Sequence, residues 1–295
     1  MNKLILIDGY GLVFRAFFGS KYLNLTKNDG TPIGAVCGFI KMLGNLKKNL
    51  KFSHIAVAFD CGKKTFRHEM YPEYKENRPP CPPELIPQFS IVRDVVKAMN
   101  IVSIEKPGYE ADDIIATYVN KVKNEDYIIE IISKDKDLMQ LVNKNVYLRD
   151  IFKDTSDEDN SIIGEKEVKD KFGVGPEQVV DVLSLIGDSS DNVKGVPHIG
   201  PKTAANLILE FGSVENLINN ADNIKKERFR NLIKEHKENL ILAKKLIKLN
   251  ENVEIDNNID SLQYRGYNEY TFNEFLEKNG LNVRIKTKEN TELLF

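Results

Sequence analysis

Short apolar runs alternate with amphipathic stretches through the first half of the chain, and no other feature restricts the fold as much. The runs cover residues 4–7, 55–59, 128–132 and 146–148. They are rich in Ile, Val and Leu and too short for buried helices, which predicts strands. Between them, apolar residues recur at helical spacing around residues 36–46 and 85–99. Strands that alternate with helices predict an α/β domain built on a parallel sheet.

The pattern changes in the second half. After an acidic run at residues 154–159, which we interpret as a solvated loop, β-branched runs stop and helical periodicity continues from residue 176 to about 249. A chain of 295 residues is long enough for two domains. We therefore expect an α/β domain at residues 1–164, a helical domain at 165–262 and a C-terminal segment of mixed character at 263–295.

Composition and charge exclude several classes of protein. With 41% hydrophobic and 29% charged residues, the chain is neither disordered nor fibrous. Its 3 cysteines lack a C-x-x-C spacing and predict neither a disulfide framework nor a zinc site. The apolar run at residues 4–7 is too short for a signal peptide or a membrane span, so we expect a cytoplasmic protein without membrane contact. At a net charge of −2, any nucleic-acid binding requires local basic patches.

Acidic residues follow the predicted strands at the points where the strands end. Asp8 follows the first strand and Asp60 the second, while Asp135 and Asp137 come shortly after the third. The carboxyl ends of neighbouring parallel strands face one crevice, so we expect these side chains to converge. Taken singly, each acid has an ordinary structural explanation as a helix cap or part of a turn.

Two further runs extend the candidate cluster, one at the start of a predicted helix and one after Gly187. They contribute Glu110, Asp112, Asp113, Asp188 and Asp191. The last two join only if the helical domain folds back over the crevice. So many carboxylates repel one another unless cations lie among them, and oxygen ligands without His or Cys favour Mg²⁺ or Mn²⁺. The sequence therefore predicts a divalent metal site.

The rest of the chain is basic. Without the nine acids, 35 acidic residues remain against 42 basic ones, so an acidic pit would lie in a basic body. This layout is expected of an enzyme that holds a phosphate backbone and cuts it with metal ions. The stretch 225–248 carries nine Lys or Arg against three Glu. We interpret it either as a solvated helix face or as an extension of a duplex-binding track.

The segment 194–203 is a candidate for gripping a phosphate backbone. Its glycines permit close approach, Pro201 fits the first turn of a helix, and free backbone N–H groups there bind phosphate without reading sequence. The alternative is an ordinary turn between helices. The residues that we expect to bind DNA here are Gly195, His198, Gly200, Lys202 and Thr203.

Eight segments, taken in chain order, match the motifs of a known family. They are residues 8–17 (DGYGLVFRAF), 34–39 (GAVCGF), 59–60 (FD), 66–69 (FRHE), 74–78 (YKENR), 108–113 (GYEADD), 135–141 (DKDLMQL) and 187–192 (GDSSDN). They closely resemble the 5′→3′ exonuclease domain of bacterial DNA polymerase I, which is related to phage 5′-nucleases and flap endonucleases. The resemblance spans about residues 1–260. It implies a PIN-like parallel-sheet nuclease domain followed by an all-helical, SAM-like helix-three-turn-helix domain.

The resemblance also implies an activity. The protein would be a structure-specific 5′→3′ exonuclease and 5′-flap endonuclease of replication and repair, hydrolysing DNA and RNA primers. Two or more Mg²⁺ or Mn²⁺ ions would be held by all nine acids, and a K⁺ ion would bind at the helical hairpin. The substrates would be DNA with a 5′ end or 5′ flap and RNA–DNA primer junctions. A monomer is expected, with a DNA polymerase as a further partner.

Five further side chains acquire roles from the resemblance. Arg15, Arg67, Lys75 and Arg78 would lie near the scissile phosphate, and Tyr74 would stack on a displaced base. In the family, the segment that corresponds to residues 63–83, which contains Arg67, Lys75, Arg78 and Tyr74, arches over the site and admits a single-stranded 5′ end. The polymerase portion of the family has no counterpart in these residues, so a free-standing nuclease and a domain of a polymerase both stay open.

Two positions depart from the family pattern. His198 stands at a hairpin position that is often Gly, and Lys194 at one that is often apolar or Pro. His adopts a positive φ less readily than Gly does. We therefore expect an altered grip on the duplex, unchanged catalysis, and an exposed turn at His198.

Other functions account for fewer of these features. A non-catalytic duplex DNA-binding module has no use for the acids, and a small-molecule phosphatase has none for the hairpin. A Rossmann dinucleotide site fails because Gly9-Tyr-Gly11 is not followed by a third Gly at the required place.

Overall fold

The structure is a computed structural model that describes residues 2–20, 24–62, 64–151, 161–256, 258–281 and 283. The acidic run at 154–159, residue 63 of the predicted arch and the last twelve residues lie outside this range. None of the helices within it is long and apolar enough to cross a membrane.

Five parallel strands and one antiparallel edge strand form the main sheet. They are β1 (Asn2–Asp8), β2 (His54–Ala58), β3 (Val102–Ile104), β4 (Tyr127–Ile132), β5 (Val146–Arg149) and β6 (Ile162–Ile163), in the spatial order β3-β2-β1-β4-β5-β6. The four strands predicted from apolar runs are β1, β2, β4 and β5. The central strand β1 is buried on both faces, as expected for an unbroken apolar run in a parallel sheet.

Helices cover both faces of this sheet. One face carries α1 (Gly9–Ser20), α2 (Gly34–Asn49) and α4 (Gln88–Ala98), and the other carries α5 (Ala111–Lys121); a short helix, α3 (Phe66–Met70), follows β2. Ile5 and Ile7 of β1 belong to the core of the first face, and Leu4 and Leu6 to the core of the second. This division follows the alternation of side chains along a strand.

The second half of the chain is mostly helical. Its helices are α6 (Glu165–Phe172), α7 (Val179–Ile186), α8 (Pro201–Phe211), α9 (Val214–Asn219), α10 (Glu227–Glu235) and α11 (Lys237–Ile247). A short antiparallel hairpin, β7 (Gly187–Asp188) and β8 (Val193–Lys194), interrupts them, which the sequence did not predict. The apolar sides of α7 and α11 join the same core as α5. The helical half therefore packs on the α5 face.

The chain then returns to the opposite face. The last described helix, α12 (Glu269–Lys278), buries Phe272 and Leu276 in the core that contains α4. On the way, Tyr264 donates its backbone N–H to the Ser53 carbonyl at 2.9 Å, beside the start of β2. The C-terminal segment, whose structure the sequence did not predict, thus packs on the α4 side of the sheet.

Candidate active site

Four carboxylates gather where the strands end. Asp8 is the last residue of β1, Asp60 follows β2, Asp135 follows β4, and Asp112 lies in the first turn of α5. In the sheet, Asp8 of β1 pairs with Ala58 of β2, and Ile7 of β1 pairs with Ile132 of β4. The carboxyl ends of the three strands therefore lie at the same level. Burial, and after it the charges of the other three acids, raises the pKa of Asp112, so the four carboxylates are close enough to interact. These four acids come together as predicted, and their role as metal ligands stays a prediction.

Burial makes this group hard to ionise. Burial raises the pKa of Asp8 to about 6, although the Gly11 N–H and the Ser133 hydroxyl donate hydrogen bonds to its carboxylate at 2.8 and 3.0 Å. Burial likewise raises the pKa of Asp60 and carries that of Asp112 well above its ordinary value. Each of the three carboxyls is therefore harder to ionise than an exposed one.

Three more acids extend the cluster, one shortly after Asp135 and two from the hairpin of the helical half. Burial and neighbouring acidic charges raise the pKa of Asp137 to about 8. Its Oδ1 is buried and has no hydrogen-bond partner in the part of the chain that the structure describes. Asp188 lies on β7 and Asp191 in the hairpin turn. Burial opposes ionisation of Asp188, but hydrogen bonds from Ser190 and from Lys136, 3.0 Å away, lower its pKa. The helical half therefore folds over the crevice.

Two cations from the segment after α3 pair with acids of the cluster. Lys75 Nζ lies 2.5 Å from Glu110 Oε1, and Arg78 Nη2 lies 2.5 Å from Asp191 Oδ1. The backbone N–H of Lys75 donates to the Asp191 carbonyl at 3.0 Å, which helps to hold Lys75 at a left-handed φ of 60°. Burial opposes the charged lysine, but Glu110 and Asp191 raise its pKa. Positive charge therefore stands within the acidic crevice.

The structure contradicts the predicted stacking role of Tyr74. Its side chain is only 4% exposed, and its hydroxyl lies 2.8 Å from Asp191 Oδ2 and 3.1 Å from Glu110 Oε2. A ring enclosed in this way offers no face to a nucleobase. Tyr74 instead ties the segment after α3 to the acid cluster.

Two more predicted roles are wrong because Arg67 and Asp113 bind each other. Arg67 is 1% exposed and Asp113 is fully buried. The Arg67 guanidinium donates to Asp113 Oδ2 at 2.7 Å and Oδ1 at 2.8 Å, and the Glu110 and Asn250 N–H groups donate to the same carboxylate. Asp113 thus has no acceptor position left for a metal ion, and Arg67 does not reach the crevice as a free cation.

The acids do not yet form a ready metal cage. Within the described residues, no three acidic, His or Cys side chains stand close enough to ligate one ion together. Lys75, Arg78 and Lys136 each hold one or more of the acids instead. The backbone brings the acids to one crevice, and the side chains have to turn to meet an ion.

The turn before α8 has the exposed residue that we expected. His198 is exposed and has a φ of 63°, which confirms that prediction. Gly200 caps α8 and has open space where a side chain would stand. Lys202 is exposed and Thr203 half-buried. Contact of these four residues with DNA stays a prediction.

Close packing of the backbone requires glycine at position 195. A Cβ on Gly195 would lie 2.3 Å from the Ile186 carbonyl carbon and 2.4 Å from the Gly187 nitrogen. Only glycine lets β8 pass so close to the end of α7. Contact of Gly195 with DNA stays a prediction.

The effect of His198 on duplex binding is expected to be small. A neutral hydrogen bond is worth about 1 kcal/mol, or roughly fivefold in Kd, so His198→Gly should change duplex affinity by no more than that. Turnover at saturating substrate should stay unchanged, because His198 is not among the crevice residues. A titration of labelled duplex and a saturation curve test both; a tenfold loss of turnover would contradict this placement.

Two residues that support Asp8 escaped the sequence analysis. A Cβ on Gly11 would lie 2.1 Å from Asp8 Oδ2, so glycine is needed to leave room for the carboxylate. Ser133 donates to Asp8 and accepts from the Asp135 N–H at 3.1 Å. The only signal was position, three residues after a strand-end acid for Gly11 and directly after β4 for Ser133.

Arg15, predicted near the phosphate, is exposed on α1 and lines the same pocket as Asp8 and Asp135.

The fold and the site define an α/β protein whose acid-lined strand-end crevice is closed by a helical half. The chain belongs to the 5′-3′ exonuclease family: the model of the N-terminal resolvase-like domain matches residues 3–173, and that of the C-terminal SAM fold matches residues 174–270. The domain boundary that we placed at residue 164 stays a prediction.

Three known proteins illustrate the relationship. A 5′-3′ exonuclease of Aquifex aeolicus is 37% identical over 265 residues, covering 90% of this chain and 88% of that protein. DNA polymerase I of Rhizobium leguminosarum is 43% identical over 88% of this chain, which spans only 26% of its length. The bacteriophage T5 flap endonuclease, in a pseudo-enzyme–product complex with DNA and metal ions, superimposes with a TM-score of 0.68 at 26% identity, covering 84% of this chain and 90% of that one.

Proposed function

We propose that this chain is a divalent-metal-dependent 5′→3′ exonuclease and 5′-flap endonuclease that hydrolyses phosphodiester bonds in DNA and in RNA primers paired to DNA. The observation that carries the proposal is a crevice of buried carboxyls whose pKa values are raised, in which Asp137 Oδ1 has no hydrogen-bond partner among the described residues. Family membership supports the reaction class. A polymerase as partner, and work in replication and repair, belong to the same proposal.

The donor set fits Mg²⁺ or Mn²⁺. All candidate ligands are carboxylate oxygens, which these hard cations prefer. Two ions, when bound, would stabilise negative charge on the reacting phosphate as Lewis acids. The residues that would hold them are Asp8, Asp60, Glu110, Asp112, Asp135, Asp137, Asp188 and Asp191.

The chain's own cations would hold the substrate phosphate. Lys75 and Arg78 now neutralise Glu110 and Asp191, and a phosphate in the crevice gives them an alternative anion. Arg15, on the exposed side of α1, would contact the same phosphate or its neighbour. Outside the crevice, the basic faces of α10 and α11 and the start of α8 would follow a duplex backbone without reading its sequence.

Substitution of Lys75 tests whether this lysine acts on the reacting phosphate or only in substrate binding. Lys75→Met should lower turnover at saturating substrate by about a hundredfold, because one cation aimed at the phosphate is lost. Flap affinity should change only severalfold, since many other cations hold the duplex. Single-turnover cleavage and binding titrations separate the two effects. Loss of affinity with normal turnover would make Lys75 a binding residue only.

A labelled 5′-flap duplex tests the proposal as a whole. With Mg²⁺, short 5′-labelled products should accumulate, and chelation by EDTA should stop them. In Ca²⁺ or EDTA, the protein should still bind the flap duplex and leave it uncut. Binding without cleavage in either Mg²⁺ or Mn²⁺ would favour the alternative, a non-catalytic duplex DNA-binding module.

A further inference from the structure

The buried Arg67 guanidinium donates four hydrogen bonds. Nε donates to the Leu246 carbonyl at 2.7 Å, and Nη2 lies 3.3 Å from the Lys248 carbonyl as well as binding Asp113. Nη1 binds Asp113 at 2.7 Å and lies 3.4 Å from Glu110 Oε2. Leu246 is in the last turn of α11, where carbonyls lack helical partners and a cation is favoured.

Asp113 extends these contacts to two more backbone groups. Its Oδ2 accepts the Glu110 N–H at 3.1 Å, which fixes the start of α5, and its Oδ1 accepts the Asn250 N–H at 2.8 Å, beyond the end of α11. The pair therefore meets three parts of the chain: α3, the first turn of α5, and the end of α11.

Each of these three parts leads to residues of the crevice. The segment after α3 carries Lys75 and Arg78, and the first turn of α5 carries Glu110 and Asp112. Helix α11 packs on α7, which runs directly into β7 with Asp188. The pair is thus the point where the two halves of the candidate site are fixed to each other.

A gain in the stability of the fold does not by itself explain why Arg67 and Asp113 form a buried ion pair. Taking two charges out of water costs so much that a well-packed apolar pair often stabilises a fold equally well. A bidentate guanidinium–carboxylate pair adds defined geometry that apolar contacts lack. The pair contacts Glu110 at two points. Asp113 accepts the Glu110 N–H, and Arg67 Nη1 lies beside the Glu110 carboxylate.

We propose that Arg67 and Asp113 are positioning residues that set Glu110 and Asp112 against the helical half, so that acids from both halves bind divalent ions together. The proposal rests on the metal-dependent function above and adds residues that touch neither ion nor substrate. Lysine at position 67 would keep the charge but lose the fork that reaches Asp113 and α11 at once.

The experiment compares three variants of the full chain. Arg67→Lys keeps the charge, and the double variant Arg67→Met with Asp113→Asn removes both charges so that neither is left unpaired. The matched control is Arg149→Lys, which alters another buried pair: Arg149 Nε lies 2.7 Å from Glu130 Oε2, on β5 and β4. Thermal unfolding, Mn²⁺ affinity by electron paramagnetic resonance, flap affinity and single-turnover cleavage are measured for each.

Residues behind a metal ligand typically change metal affinity ten- to a hundredfold, so Arg67→Lys should weaken Mn²⁺ binding by about that factor. Cleavage should fall with it, and flap affinity should stay within about threefold, because phosphate contacts elsewhere dominate it. Arg149→Lys should lower the unfolding temperature but bind Mn²⁺ like the wild type.

Unchanged Mn²⁺ affinity in Arg67→Lys, or in the double variant if the lysine variant does not fold, would overturn the proposal. An equal loss in Arg149→Lys would also overturn it, since the effect would then follow general destabilisation. If the wild-type protein bound no Mn²⁺, the metal-dependent function itself would fail, which is a distinct result.

Discussion

Replacing Asp60 by alanine is expected to lower Mg²⁺-dependent flap cleavage by about a thousandfold or more, equivalent to about 4 kcal/mol of transition-state stabilisation. Asp60 follows β2 at the level strand ends, and its Oδ1 accepts the Ala111 N–H at 2.8 Å, which aims the carboxylate into the crevice. Its charge also raises the pKa of Asp8. Single-turnover cleavage of a labelled 5′ flap measures the effect.

Asp60→Asn is the matched variant, because the amide oxygen still accepts the Ala111 N–H while the charge is lost. Both variants should bind the flap in Ca²⁺-free buffer with nearly wild-type affinity, since removal of a negative charge does not weaken phosphate contacts. Turnover within tenfold of wild type in both would refute the role of Asp60 as a metal ligand.

The second large effect is a divalent-ion stabilisation that grows with pH. In the metal-free protein the pKa of Asp137 is raised to about 8 from the ordinary value of 3.8, so the folded state binds its proton more tightly than the unfolded state does. This contribution to stability is complete below about pH 4 and is lost as the pH rises to about 8. The groups around Asp137 are Asp135, Asp188 and Asp191, with Lys136 opposing them.

Mg²⁺ should therefore raise the unfolding temperature more at pH 8 than at pH 6, where a proton competes for Asp137. An ion at a hundred times its Kd adds about 2.7 kcal/mol, or roughly 5 °C for a protein of this size. Asp137→Asn carries no titratable group at this position, so it should reduce the pH dependence of the metal-free protein, while Asp8, Asp60 and Asp112 still contribute to it. Calorimetry with and without Mg²⁺ measures the rise in unfolding temperature at both pH values. A larger rise at pH 6 than at pH 8 would contradict the prediction.

The sheet could be predicted from the sequence because its main strands are apolar on both faces. The run at residues 4–7, for example, lies within β1 between Lys3 and Asp8. Strand β3 has only three residues, and β6, β7 and β8 have two each, too few for any periodicity to indicate them. Their pairing depends on neighbours that are distant in the chain.

The strand-end acids could be predicted because position along a parallel strand fixes where a side chain emerges. Asp8 and Asp60 needed no knowledge of their partners. Asp113 looked equivalent to Asp112 in the sequence, yet one step along α5 turns its side chain into the core against Arg67. Burial of this kind depends on the packing of α11, which no local pattern reveals.

Crystals grown with Mn²⁺ test the central claim most directly, through the anomalous scattering of the ion. The account predicts at least one anomalous peak in the crevice, within ligand distance of carboxylates among Asp8, Asp60, Asp112 and Asp135, and Lys75 turned away from Glu110 where that acid is engaged. Mn²⁺ bound only at other surfaces, with these carboxylates in their metal-free positions, would contradict it.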